Sequence, residues 1–315
     1  MSSFFYYILP ALGGYTLTSM YLLKNPHILH RKKRTAFFAR HISHRGGCGE
    51  RLESTIEAFT NAVEEGTDML EMDCFMTRDG HVVVSHDKNL LRLTGHDVSI
   101  SSLNFQDLPL YKERLPVLFY TGHYSTGTDR KFTLLEDVYR KFPRVAATIE
   151  IKEKNSQLIH KVSDLTKRYN REDITVWASE SSSIMNECCK MNNSMPHGFS
   201  LNRGVLLLLL FYSGLLPFVQ LKEDLLQFYL MSIFNRTYIA ERPILRNRLF
   251  IYLVEKITMR KSLFKHLEDR GIQVHLFVCN TDEDIKAALD LGATGVMTDY
   301  PTLLSDYFRR NRNQE

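Results

Sequence analysis

From His41 onward, short apolar or β-branched runs alternate with amphipathic patterns. The runs His41 to His44, Asp68 to Asp73, Val82 to Ser85, Ala147 to Ile151, Asp173 to Trp177, Pro196 to Ser200, Val274 to Val278 and Gly295 to Thr298 read as strands. Between them, Thr55 to Glu65, Leu134 to Phe142, Gln157 to Tyr169, Met259 to Arg270, Asp282 to Leu291 and Thr302 to Phe308 repeat apolar positions at helical spacing. Such alternation marks βα units around a parallel sheet. Eight strands in one series predict an α/β fold, a closed (β/α)8 barrel of the TIM type, with its chemistry at the C-terminal strand ends. Two long connections interrupt the series, His86 to Thr133 and Leu201 to Thr258. Insertions of that length inside a barrel point to function, here a cap and a membrane-facing insert of about 201–258.

Two segments are more apolar than a barrel needs. Phe4 to Leu23 holds twenty uncharged residues, the length that crosses a bilayer core of about 30 Å. It predicts an N-terminal transmembrane helix over residues 1–23, with Phe4, Phe5, Tyr6, Tyr7 and Tyr21 near the interfaces. The alternative, a cleaved signal peptide, lacks a basic n-region and a small-residue cleavage site. Gly204 to Val219 is shorter than a span and carries Gly214 and Pro217. It reads as an interfacial segment that contacts membrane lipid, with a buried core helix as the alternative.

Charge sharpens this organisation. Six of the 40 basic residues fall between Lys24 and Arg40 with no acidic residue among them, leaving 34 against 36 acidic ones in the rest. The stretch 24–40 is therefore a basic linker, and the barrel of residues 41–310 has no basic excess to suggest a nucleic-acid partner. No obligate protein partner is implied. By the positive-inside rule the barrel faces the cytosol, at an intracellular membrane such as the endoplasmic reticulum or the perinuclear membrane. Two glycosylation acceptor triplets, Asn192-Asn193-Ser194 and Asn235-Arg236-Thr237, leave the lumenal orientation open. The five cysteines form no CxxC pair, so neither a disulfide framework nor a structural zinc is expected.

The predicted strand ends are polar: His44 and Arg45, Glu71 and Asp73, His86 and Asp87, Glu150 and Lys152, Asn280, and Asp299. Glu71 and Asp73 lie two apart on one strand and so share a face, which in a barrel can be the interior. Carboxylates turned inward repel unless a cation lies between them, and Glu150 completes an oxygen cage for Mg²⁺ or Ca²⁺. His44 and His86 titrate near neutral pH, as proton transfer at a phosphodiester requires. His86 is also a candidate metal ligand, because imidazole binds divalent ions. Arg45 and Lys152 suit phosphate oxygens, the first as a bidentate fork and the second as a point charge.

His-Arg-Gly-Gly (44–47), Glu-Ser-Thr (53–55) followed by Ala58-Phe59, Glu-Met-Asp (71–73), Ser-His-Asp (85–87), Glu-Ile-Lys (150–152) and Gly-Val-Met-Thr-Asp-Tyr-Pro (295–301) stand in the order of the glycerophosphodiester phosphodiesterase family, which this chain resembles. With the N-terminal apolar stretch and the Leu-Leu-Pro-Phe insert, it resembles the membrane-anchored lysophospholipase D-type subgroup. The resemblance implies His44 and His86 as the acid/base pair, Glu71, Asp73 and Glu150 as metal ligands, and Arg45 and Lys152 at the phosphate. The implied reaction is metal-dependent hydrolysis of lysoglycerophospholipids to lysophosphatidic acid and a head-group alcohol, including N-acylethanolamine. Hydrolysis of water-soluble glycerophosphodiesters, phospholipase C-like cleavage and a non-catalytic lipid-binding barrel are the alternatives. Two positions depart from the family pattern. Ser54 replaces the usual Asn, and Phe277 the usual Trp.

Overall fold

The computed structural model describes residues 2–240 and 242–311. Its strands are β1 (His41–Ser43), β2 (Met69–Met76), β3 (Val82–Val84), β4 (Arg114–Pro116), β5 (Tyr124–Thr126), β6 (Thr133–Leu134), β7 (Ala146–Glu150), β8 (Thr175–Ala178), β9 (Leu225–Tyr229), β10 (Gln273–Phe277) and β11 (Gly295–Thr298). Parallel pairing runs from β1 to β2, β7 and β8. It crosses to β9 through the bridges Trp177 to His197 and Gly198 to Leu225. Pairing of β9 with β10, β10 with β11 and β11 with β1 then closes the ring. With the bridged segment at His197 and Gly198 as one stave, the barrel has eight, in agreement with the expected fold class.

Which segments supply the staves differs from expectation at one place. Val82–Val84 is not a stave: it pairs antiparallel with Cys74 to Met76, where β2 runs on past its neighbours. Leu225–Tyr229, inside the predicted insert 201–258, takes its place in the ring. Three valines in a row look the same in a hairpin as in a buried stave, and Leu-Leu-Gln-Phe-Tyr is hidden in an apolar neighbourhood, so local periodicity does not separate them.

The interior is filled in layers. Ile42, Met69, Ala146, Val176, Leu225 and Met297, one from each of six staves, form a buried apolar cluster. Leu70, Met72, Ala147 and Ile149, one step along from these, pack in a different cluster with the surrounding helices. Because a strand alternates faces, the positions two and four beyond Met69 and Ala146 rise on the interior face toward the C-terminal mouth. Those positions are Glu71, Asp73, Thr148 and Glu150, three of them acidic. The apolar layer below them seals the barrel and the acidic layer above faces the opening.

The N-terminal stretch forms a helix over Ser2–Lys24. Met1 and the side chains of Phe4 and Phe5 lie outside the description. Among the described residues no helix is long and apolar enough to cross a membrane, which corrects the expected transmembrane anchor and the location at an intracellular membrane derived from it. Length alone misled: Tyr6, Tyr7, Tyr15 and Tyr21, Thr16, Thr18, Ser19, Gly13, Gly14 and Pro10 dilute the apolar content. The helix also docks on the barrel through polar groups. Tyr15 Oη donates to Ser213 O at 2.6 Å, Ser19 Oγ to Gly214 O at 2.6 Å, and His266 Nδ1 lies 2.8 Å from Leu23 O. The basic stretch that follows lies along the protein, with Lys33 Nζ 3.0 Å from Asp224 Oδ1.

The second apolar run, Gly204 to Val219, folds as most of the helix Leu201–Tyr212 and the 3-10 turn Leu216–Phe218, on the way from the bridged stave to β9. Leu207 is buried against the core, while Leu201, Val205, Leu209 and Tyr212 are exposed. Asn192, the first acceptor asparagine, is itself buried and donates to Glu172 Oε1 at 2.9 Å.

Candidate active site

The barrel mouth is built by the turn after β1. His44, Arg45 and Gly46 form one 3-10 turn in which Arg45 takes φ 49° and ψ 32°, and Gly46 and Gly47 follow at φ 80° and 87°. Side chains would not fit at the glycines. A Cβ on Gly46 would meet the Phe59 ring at 2.8 Å, and one on Gly47 would meet Pro301 at 2.7 Å. The separated motifs are thus parts of one packed unit. Thr55 caps the helix Ile56–Glu64, its hydroxyl accepting from Ala58 N at 3.1 Å. Ser54, where the family pattern has Asn, is buried at φ 60°, a conformation in which Asn is several-fold favoured over most residues. Its hydroxyl has no hydrogen-bond partner.

Glu71, Asp73 and Glu150 offer ligand oxygens that all lie within 4.8 Å of one another. Asp73 and Glu150 are register partners on adjacent strands, so the backbone itself holds the two acids side by side. Burial and the neighbouring Asp73 push Glu150 up to about 8 against the partial opposition of Lys152. Burial and Asp73 likewise raise Glu71. Asp73, for which burial acts the same way, is instead held below the usual carboxylate range by Lys152, His86 and Arg45. Both Asp73 oxygens are buried, and Lys152 Nζ meets Oδ1 at 2.7 Å. Three carboxylates crowded within 4.8 Å on a rigid wall are the donor set of a hard divalent cation, so the residues fit such an ion.

Two histidines border the acids, each backed by a carboxylate. His44 Nδ1 is 2.6 Å from Asp299 Oδ1, which also accepts from Cys48 Sγ at 2.9 Å. Asn280 Nδ2 donates to the other Asp299 oxygen at 2.7 Å. Burial acts to raise Asp299, but His44, Cys48 and Asn280 more than offset it and keep the carboxylate ionised. His86 Nδ1 is 2.6 Å from Asp87 Oδ1. Burial and the charge of Arg45 lower His86 against the pull of Asp87. In both pairs the carboxylate holds Nδ1, which leaves Nε2 for proton transfer.

Arg45 links the pieces. Its backbone N donates to Glu71 Oε2 at 2.9 Å, and its Nη1 reaches Glu53 Oε1 at 3.4 Å. Glu53 is held in turn by Arg92, and these two arginines overcome burial to bring it down to about 2. On the other side of His44 the Phe119 ring stands edge-on at 5.4 Å, and Tyr238 lies 4.4 Å from Phe119 between ring centres. The two insertions that carry these rings are joined by Thr121 N donating to Thr237 O at 2.8 Å. The structure brings His44, Arg45, Glu71, Asp73, His86, Glu150 and Lys152 into one mouth. The cluster of mutually close ligand atoms holds Glu71, Asp73 and Glu150 without His86. Sequence reasoning gave no role to Glu53, and it overlooked Arg92, Cys48 and Phe119. Glu53 was visible only as part of a motif, and Arg92 carried no signal of its own.

The glycerophosphoryl diester phosphodiesterase family model matches residues 44–303. This chain belongs to that family. Within the family it is 47% identical to a mouse protein named lysophospholipase D GDPD3, over 98% of this chain and 94% of the relative. It is 48% identical to the human lysophospholipase D GDPD1 over 96% of each. Among solved structures, the glycerophosphoryl diester phosphodiesterase domain of a Mycobacterium tuberculosis protein superposes with a TM-score of 0.64. That match covers 85% of this chain and 98% of that domain at 17% identity, and supports the barrel fold alone. The family assignment and the barrel agree with the resemblance read from the motifs.

Proposed function

We propose that this protein hydrolyses lysoglycerophospholipids on the head-group side of the phosphate, yielding lysophosphatidic acid and choline, ethanolamine or an N-acylethanolamine. The observation that carries the reading is the convergence of three carboxylates and two carboxylate-backed histidines at one barrel mouth. The near full-length similarity to relatives named lysophospholipase D supports the substrate class. The aromatic rings of Phe119 and Tyr238 beside His44 suit a substrate with an apolar portion.

In this reading residues 41–310 form the catalytic unit. Glu71, Asp73 and Glu150 would hold Mg²⁺ or Ca²⁺, which would supply Lewis-acid neutralisation of phosphate oxygens. Arg45 and Lys152 add their charges to the same oxygens. One histidine Nε2 removes the proton of the free glycerol hydroxyl beside the phosphate arm. That oxygen bonds to phosphorus, the bond from phosphorus to the head-group oxygen breaks, and the second histidine protonates the departing alkoxide. Water then opens the cyclic phosphate with the histidine roles exchanged. His86 is assigned to proton transfer rather than to the metal, because the carboxylate cluster closes without it.

Product analysis of the purified protein tests the reading. Lysophosphatidylcholine with added Mg²⁺ or Ca²⁺ is expected to give lysophosphatidic acid and choline. Monoacylglycerol and phosphocholine would point to the phospholipase C-type cut, and turnover of glycerophosphocholine alone to a water-soluble substrate. No turnover of either compound would overturn the assignment.

A further inference from the structure

Arg92 lies outside the barrel wall, on the short helix Leu91–Thr94 within the long connection that follows β3. Its guanidinium is nevertheless tied to both halves of the site. Nη1 and Nη2 donate to the two oxygens of Glu53 at 2.8 and 2.7 Å, a bidentate fork. Nε donates to Asp87 Oδ2 at 2.6 Å. Asp87 holds Nδ1 of His86 through its other oxygen, and Glu53 faces Arg45 Nη1. One chain of contacts therefore runs from His86 through Asp87, Arg92 and Glu53 to Arg45. Glu53 and Arg45 are each 3% exposed, so water screens little of that end of the chain. Glu53 has two cations for one carboxylate, and the nearer contacts are those of Arg92 rather than Arg45.

We propose that Arg92 is a positioning residue that sets the proton-transferring His86 and the phosphate-facing Arg45 as a single unit, an inference that rests on the reaction proposed above. The planar fork is needed because one group must satisfy two carboxylates from different loops at fixed angles, which a lysine ammonium does not reproduce. Without Arg92, Asp87 loses the cation that holds its second oxygen, and the imidazole and Arg45 are free to shift independently. Displacements of about 1 Å at such groups cost on the order of 10²-fold in rate.

The test is steady-state kinetics of Arg92→Ala and Arg92→Lys on lysophosphatidylcholine at saturating Mg²⁺ or Ca²⁺, with circular dichroism to measure the folded fraction. For Arg92→Ala, kcat per folded molecule is expected to fall about 10²-fold while KM changes by less than about threefold, because Arg92 acts in the reacting complex without touching substrate. Added guanidinium is expected to recover at least about tenfold of that loss in Arg92→Ala and none in Arg92→Lys, whose own side chain fills the slot. Folded variants with wild-type kcat, a loss that guanidinium leaves unchanged, or a lysine variant that cannot fold would each reduce Arg92 to a structural role and overturn the proposal. Wild-type protein inactive on lysophosphatidylcholine would remove the underlying reaction instead, so the two failures are distinct.

Discussion

Lys152 Nζ lies 2.7 Å from Asp73 Oδ1 and 3.9 Å from Glu150 Oε2, so a single ammonium faces two of the three crowded acids. Together with His86 and Arg45 it keeps Asp73 ionised, whereas burial and Asp73 push Glu150 up to about 8. This uneven sharing gives the acidic layer a measurable signature.

The signature is a pH-dependent stability difference between Glu150→Gln and the parent in the presence of a chelator. Between the unfolded value near 4.5 and the folded value of about 8, the folded protein holds a proton that the unfolded chain has released. Stability of the parent is therefore lost as pH rises through that window. The glutamine variant lacks this penalty, and contributions from buried histidines cancel in the comparison. Its advantage in melting temperature is expected to grow from pH 5 to pH 8 and to level off above. A difference that stays flat across that range would contradict the crowding of Glu150.

Glu71→Gln and Asp73→Asn are expected to reduce turnover at least about 100-fold at saturating cation, since loss of a mere outer-shell partner already costs 10- to 100-fold in metal sites. Glu71→Gln removes repulsion and keeps an acceptor for Arg45 N, so its melting temperature in chelator is expected to hold or rise, whereas Asp73→Asn gives up the buried ion pair with Lys152 and is expected to lower it. Near-wild-type turnover in either variant would exclude the proposed cage.

Asp299→Asn tests the histidine orientation. The amide replaces an acceptor that His44, Cys48 and Asn280 all use, and it permits the wrong imidazole tautomer. A fall in kcat on the order of 10² to 10⁴ with little change in KM is expected, by the logic of carboxylate-oriented histidines. A kcat within about threefold of wild type would mean that Asp299 does not orient the base.

Within the helix Leu201–Tyr212, Leu207 is buried to 2% exposure and Leu209 is 63% exposed. Leu207→Ala is expected to destabilise by about 2 to 5 kcal/mol, and Leu209→Ala by no more than about 0.5 kcal/mol. Chemical denaturation of the two variants decides it, and equal effects would place the packed face of this helix wrongly.

The chain alone determined much of this protein. The alternation of runs and helices specified a barrel, and two-residue spacing placed Glu71 and Asp73 on one face, because side-chain direction along a strand is a local property. The His-Arg-Gly-Gly and Thr-Asp-Tyr-Pro motifs were also legible, since their glycines and proline answer steric demands written in the backbone. Other features depended on which segments meet. Val82–Val84 and Leu225–Tyr229 have equally plausible strand patterns, and only closure of the ring decides which one is a stave. The twenty-residue apolar stretch had the length of a span, and its hydroxyls were legible, but the seat it finds on Ser213, Gly214 and His266 is a tertiary fact. The bond from Arg92 to Glu53 joins residues 39 apart in sequence. No local pattern encodes it, because a buried charge finds its partner only after the barrel has brought the loops together.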